Sequence, residues 1–247
     1  MPLILGVTGS IATGKSHLCQ YIAEKYGAVH GDADKLVHRM YDPGKPGWDR
    51  IVAEFGNEVV DAEGMIDRKI IGSKVFGNAE RMRALTTAIG DIGGEMHRVI
   101  DEWRATLPRD TIAILEAVNL IEAGYSAWCD ATWLVGADYD VALPRLMTRN
   151  NFSEAEARQR LDAARKWQDR APASDRIFLN NGTLQDLERE ADEAVAEALA
   201  QFRAGTLPPI RYTQWFEDTR EEREAAMKAA AVARAAAEAK AKGEATS

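Results

Sequence analysis

Residues 3–18 read Leu3-Ile4-Leu5-Gly6-Val7-Thr8-Gly9-Ser10-Ile11-Ala12-Thr13-Gly14-Lys15-Ser16-His17-Leu18, and the fold is decided there. Leu3, Ile4, Leu5 and Val7 form a short apolar, β-favouring run that ends in a turn opened by Gly9. Gly9, Gly14, Lys15 and Ser16 then satisfy G-x-x-x-x-G-K-[ST], and a helical pattern follows at once. The glycines let successive backbone N–H groups converge on phosphate oxygens. The dipole of the following helix adds roughly half a positive charge at the same spot. Lys15 can reach β- and γ-phosphates, and the Ser16 hydroxyl can ligate Mg²⁺. Strand, loop and helix in this order imply a nucleotide-phosphate site.

A chain of 247 residues with 46% hydrophobic content can bury a full core. Apolar runs stay well short of the roughly 18 residues a membrane span needs, and the N-terminus lacks a basic region and cleavage site. The expected setting is the cytoplasm, with no membrane partner. Cys19 and Cys129 stand outside any C-x-x-C or metal-ligand spacing and read as packing residues. A net charge of −8 argues against a general nucleic-acid binder, so the positive field for a nucleotide must be local.

Leu18, Ile22 and Tyr26 share one face of a helix over residues 17–26, and Gly27 is its natural stop. Ala28-Val29-His30 is a weak strand, followed by Gly31-Asp32-Ala33-Asp34 and another helical pattern. One of Asp32 and Asp34 is expected to cap that helix. The other is then free to act as a base or to hold magnesium through water. Mostly helical segments run to about Arg104. Residues 111–115, ending in Glu116, 131–135 and 176–179 supply three more strands, the last closed by Asn180-Asn181-Gly182. Strands alternating with helices give an α/β fold: five parallel strands with a helical insertion after the second. Ser16 and Glu116 are the expected metal-side residues.

Residues 144–170 carry Arg145, Arg149, Arg158, Arg160, Arg165, Lys166 and Arg170 among four acids. Arg145 and Arg149 are i,i+4 on a helix and can point to one side. A basic lid of this kind can stabilise the charge that develops in phosphoryl transfer and exclude water. His30, His38 and His97 make no metal-ligand spacing; of a place near the acceptor hydroxyl and a strand-end packing role for His30, packing is the favoured reading. Beyond residue 205, Trp215-Phe216 form a small apolar anchor, and an Ala-rich, mixed-charge tail follows. That tail is expected to be an exposed helix or disordered, without a role in chemistry.

TGSIATGKS, GDADKLVH, DPGKPGWDRIVAEFG and DAEGMIDRKIIGSKVF, then EAVNLIEAG, RLMTRNNFSEAEARQRL and SDRIFLNNG, resemble the dephospho-coenzyme A kinase family over residues 1–200. The resemblance implies ATP- and Mg²⁺-dependent phosphorylation of the ribose 3′-hydroxyl of dephospho-coenzyme A. It further implies a P-loop NTPase core (1–34, 105–143, 171–204), a helical acceptor-binding domain (35–104) and a lid (144–170); the Gly205-Thr206-Leu207-Pro208-Pro209 break, outside the resemblance, sets residues 205–247 apart as an extension. Ala12, Thr13, Gly14, Lys15, Ser16 and His17 match the ATP-phosphate cradle. Asp34 matches the general base, with Asp32 beside it. Arg145 and Arg149 match lid arginines acting with Lys15 in catalysis. Asn180, Asn181 and Gly182 match the loop near adenine, and Arg68 and Glu122 match acceptor-side positions.

The acceptor half departs from the family pattern. Gly90-Asp91 stands where His-Pro is usual, and Val118-Asn119-Leu120 replaces Pro-Leu-Leu. Ala164 replaces a lid Gln, His17 a Thr or Ser, and His30-Gly31 apolar residues before Asp-Ala-Asp. Two other readings therefore stay open: a nucleoside or deoxynucleoside monophosphate kinase, and a nucleotide-binding regulatory protein without turnover. A 5′-phosphate acceptor is already ionised and needs no base, so dependence on Asp34 separates the hydroxyl acceptor from the first of these. Oligomeric state is not readable from the sequence.

Overall fold

The computed structural model describes the backbone of residues 1–244 and the side chains of residues 1–233. The first strand, β1 (Leu3–Gly9), is buried along its whole length and feeds α1 (Lys15–Tyr26) through the glycine loop. Then come β2 (Val29–Asp32) and α2 (Ala33–Arg39). A helical region follows: α3 (Pro46–Phe55), α4 (Arg68–Val75), α5 (Ala79–Ile89) and α6 (Ile92–Thr106). The chain returns to the sheet with β3 (Ile112–Glu116) and β4 (Ala131–Gly136). Next are α7 (Tyr139–Asn150), α8 (Glu154–Ala163), α9 (Trp167–Arg170), β5 (Arg176–Leu179) and α10 (Leu184–Ala204). Two further helices, α11 (Arg211–Asp218) and α12 (Arg220–Glu244), end the described chain.

The five strands are parallel in the order β2-β3-β1-β4-β5. The crossover from β1 runs to one side of the sheet and that from β3 to the other. The crevice at the carboxyl ends of β1 and β3 is thus a topological switch point, where such sheets bind ligands. The register pairs Glu116 with Val7 on one side and Asp32 on the other, so the end of β3 lies between the glycine loop and the start of α2. Alternation along the strands sends Leu3, Leu5 and Val7 to one face with α1 and α10, and Ile4, Ala113 and Leu115 to the other with Met96 and Ile100 of α6. The helical region has its own core around Ile51, Phe55, Val59, Ile71 and Ile89.

Several expectations are corrected in detail. The weak strand at 28–30 runs instead from Val29 to Asp32. Gly31 accommodates close packing there: a Cβ would come within 2.7 Å of the Trp103 ring. The boundaries at 34/35, 104/105 and 143/144 fall inside α2, α6 and α7, because β2 passes into α2 without a loop and long helices bridge the subregions. The anchor at the start of the extension centres on Tyr212, buried with Ile121 and Ala173; Trp215 packs against that cluster as expected, whereas Phe216 is exposed. The Arg211 N–H donates to Asp175 Oδ1 at 2.8 Å, fixing α11 to the core. The tail beyond it is helical as α12, and the expectation of exposed side chains past residue 233 lies outside the described residues.

Candidate active site

The phosphate loop joins β1 to α1 without a side-chain cap or an acid in the helix's first turn. The N-terminal N–H groups of α1 are therefore left for a ligand. By contrast Asp32, Asp67, Asn78, Asp91, Ser153 and Thr183 cap their own helices. Gly14 takes φ 91° at the turn, and a Cβ there would lie 2.3 Å from Asn180 Nδ2. Asn180 is buried, and that Nδ2 donates to the Thr13 carbonyl at 2.9 Å, bracing the loop from the end of β5.

Glu116 is the electrostatic centre of the site. It is almost wholly buried, and its Oε1 accepts from Lys15 Nζ and, at 2.6 Å, from Ser16 Oγ. Its Oε2 lies 2.7 Å from His30 Nε2. Burial alone pushes the carboxyl up, but the His30 hydrogen bond, the Lys15 charge and the Ser16 hydroxyl outweigh it and hold it down at about 2. His30 is thus a member of the site rather than a packing residue. The sequence favours packing because the partner that decides the role, Glu116, is 86 positions away.

Asp32 and Asp34 divide their roles. Asp32 Oδ1 accepts from the Asp34 and Lys35 N–H groups at 3.0 and 3.4 Å and caps α2. The Asp34 carboxylate accepts no hydrogen bond among the described residues and, like Asp32, borders a cleft of about 1360 Å³. The phosphate loop, Glu116, Val118, Arg145, Arg149, Asn180 and Gly182 border the same cleft. Arg145 donates to the Asn180 and Gly182 carbonyls at 2.6 and 3.1 Å, whereas Arg149 lines the cleft and, among the described residues, bonds Asn150 Oδ1 alone, through Nε. Ser10 Oγ donates to the Arg165 carbonyl, so the segment between α8 and α9 touches the phosphate loop.

The other expected site residues are only partly at the cleft. His17 borders the cleft while its Nε2 lies 2.9 Å from Glu188 on α10. Asn181 pairs with Asp138 at the start of α7. Glu122 is away from the cleft lining and is engaged by Arg165 and Arg170 at 2.9 and 2.8 Å. Arg68 is exposed at the start of α4 and makes no hydrogen bond or ion pair among the described residues. Its charge acts on His38, whose pKa burial and Arg68 both lower. Of the altered positions, Asp91 caps α6 by accepting from the Gly94 N–H at 2.8 Å, and Ala164 ends α8; neither borders the cleft.

The dephospho-CoA kinase family model matches residues 3–186. A dephospho-CoA kinase of Geobacter sulfurreducens is 37% identical over 198 residues, covering 78% of this chain and 98% of its own. The chain belongs to the dephospho-CoA kinase family. Another relative of that name, from Geobacillus kaustophilus, is 33% identical over 77% of this chain and 94% of its own. The crystal structure of a Thermus thermophilus protein superposes with a TM-score of 0.63 at 28% identity, covering 79% of this chain and 97% of that one. Among the described residues no helix is long and apolar enough to cross a membrane.

The uncapped helix start and the converging loop fit the polyphosphate of ATP. Ser16 Oγ and the Glu116 carboxylate, two oxygen donors that meet at 2.6 Å, fit a hard cation such as Mg²⁺.

Proposed function

We propose that this dephospho-CoA kinase family member transfers the γ-phosphoryl group of ATP to the ribose 3′-hydroxyl of dephospho-coenzyme A, giving coenzyme A and ADP. The observation that carries the reading is the division of labour at the start of α2. Asp32 caps the helix, and Asp34 stands unpaired on the cleft that holds the phosphate loop. A hydroxyl acceptor needs a proton acceptor, and Asp34 supplies one.

In this account the loop N–H groups hold the phosphates, and Lys15 moves from Glu116 onto the β- and γ-phosphate oxygens. The acceptor oxygen attacks the γ-phosphorus in line, its proton passes to Asp34, and the bond to the ADP oxygen breaks. Arg149, with Arg145 beside it, balances charge on the equatorial oxygens. Ser16 and Glu116 would hold Mg²⁺, with Asp32 or Asp34 contributing through water. When bound, the ion would neutralise β- and γ-phosphate charge. The helical region of residues 35–104 takes the acceptor, with Arg68 as a contact for its phosphates, and the segment 144–170 closes as the lid. We place Glu122 as a brace for Arg165 and Arg170 rather than a direct substrate contact, on the strength of its two ion pairs.

Coupled ADP release from ATP and Mg²⁺, with dephospho-coenzyme A compared against nucleoside monophosphates, tests the reading. Turnover confined to dephospho-coenzyme A is expected. Turnover with a monophosphate makes the protein a nucleotide kinase. ATP binding without turnover on any acceptor makes it a regulatory protein.

A further inference from the structure

Beneath the phosphate loop, three potential ligands from three different elements converge. Cys19 comes from α1, His30 from β2 and Glu116 from the end of β3. One sulfur, one ring nitrogen and one carboxylate oxygen lie within 4.8 Å of one another. The register explains the meeting of the last two. His30 pairs with Ile114, two residues before Glu116 on the neighbouring strand, so the two side chains are diagonal neighbours on one face. Cys19 lies on the inward face of α1 and is fully buried, but Glu116 opens onto the cleft and His30 is partly exposed. A path for an ion and a position for a water ligand therefore exist on the cleft side.

We propose that Cys19, His30 and Glu116 form a site for a borderline transition-metal dication of the Zn²⁺ type, and that its occupation inhibits phosphoryl transfer. The donor set selects the metal. A thiolate and an imidazole suit zinc or cobalt, whereas Mg²⁺ takes oxygen ligands. Tetrahedral coordination at 2.0–2.3 Å places ligand atoms about 3.5 Å apart, so the cluster needs to tighten by about 1 Å around the ion. Binding is balanced by release of the Cys19 thiol proton to solvent. Glu116 is already ionised, and His30 ligates as the neutral ring. Without a metal, burial and the adjacent Glu116 charge keep that thiol protonated.

Inhibition follows from what else Glu116 holds. Lys15 and Ser16 both donate to its Oε1. An ion held by Cys19 and His30 as well takes the Glu116 carboxylate away from Ser16 and from the Mg²⁺ that the two would otherwise hold. The site is independent of which acceptor the kinase uses, and the spectroscopic test below needs no turnover.

Co²⁺ alone is titrated into the metal-free full-length protein. The expected result is saturation at one equivalent with a cobalt–thiolate charge-transfer absorption, displaced by Zn²⁺ and lost in both Cys19→Ala and His30→Gln. Absence of the thiolate absorption from the unaltered protein, or its survival in either variant, overturns the proposal. Survival in Cys19→Ala would assign it to Cys129, a buried thiol directed at the Tyr125 carbonyl. In the kinase assay Cys19→Ala is expected to keep its turnover with Mg²⁺ and ATP and to require at least about tenfold more Zn²⁺ for half-inhibition. Equal Zn²⁺ sensitivity of Cys19→Ala and the unaltered protein contradicts the inhibitory role.

Discussion

The Ser16 hydroxyl donates to Glu116 Oε1 at 2.6 Å, joining the start of α1 to the end of β3 across the switch-point crevice. Lys15 shares the same oxygen, so the two motif residues that act on a nucleotide's phosphates are held on one buried carboxylate. In the proposed reaction, phosphate binding would draw Lys15 away and leave that carboxylate to the metal.

Glu116→Gln is expected to lower turnover and to change the pH dependence of stability. In the folded protein Glu116 titrates at about 2, below its ordinary 4.5. A depressed folded-state pKa contributes stability that is fully present above the ordinary value and is lost as pH falls toward the folded one. The difference corresponds to about 3 kcal/mol at neutral pH, on the basis of about 1.4 kcal/mol per pKa unit. Urea unfolding of both proteins between about pH 7 and pH 2 checks it: the stability gap should narrow below about pH 4.5. A gap that stays constant across that range contradicts the assignment.

Lys15→Ala is expected to reduce kcat by at least about 100-fold through loss of phosphate stabilisation. It also leaves Glu116 buried without its principal cation, so a lower Tm should accompany the kinetic loss. Steady-state kinetics and thermal unfolding of the same preparation separate the two effects.

Asp32→Ala is expected to cost about 1 kcal/mol of stability, because two N–H groups at the start of α2 lose their acceptor. Chemical denaturation reads that cost directly. An unchanged unfolding midpoint would show that the cap is dispensable.

Much of this was legible in the sequence because the chemistry of the phosphate loop is local. Gly9 to Ser16 carry strand end, turn, cation and hydroxyl within eight residues, and β5 lies where its apolar run and Asn-Asn-Gly stop placed it. The Cys19–His30–Glu116 cluster was not legible, since strand register rather than spacing brings it together. Glu122 was read from its motif as an acceptor contact. Its two partners, Arg165 and Arg170, are more than 40 residues on in the chain, and only the three-dimensional path reveals them. Of the expected Trp215-Phe216 anchor, Trp215 packs on the buried Tyr212 and Phe216 does not, because helical phase, not aromatic content, decides which side chain turns inward.

Arg149→Ala is expected to slow phosphoryl transfer by about 10³ while leaving Tm unchanged, because the side chain bonds only its neighbour Asn150. Arg145→Ala should instead loosen the residue 180–182 loop, raising the KM for ATP as well as lowering kcat. Equal kinetic effects of the two variants would contradict this division.

Removal of residues 220–247 is expected to leave turnover and Tm essentially unchanged, since α12 adds no buried side chain among the described residues. Removal of residues 206–247 takes Tyr212 and the Arg211–Asp175 contact as well and should lower Tm by several degrees. Thermal unfolding of both truncations distinguishes the anchored helix from the exposed one.

The most direct test of the central claim is single-turnover transfer from ATP to dephospho-coenzyme A by the unaltered protein and Asp34→Asn, with ATP affinity measured in parallel. The account predicts 3′-phosphorylated product from the unaltered protein. For Asp34→Asn it predicts a rate lower by about 10²–10⁴ with ATP affinity preserved. Transfer at the same rate by both proteins would contradict a base at Asp34, and no transfer by the unaltered protein would contradict the kinase itself.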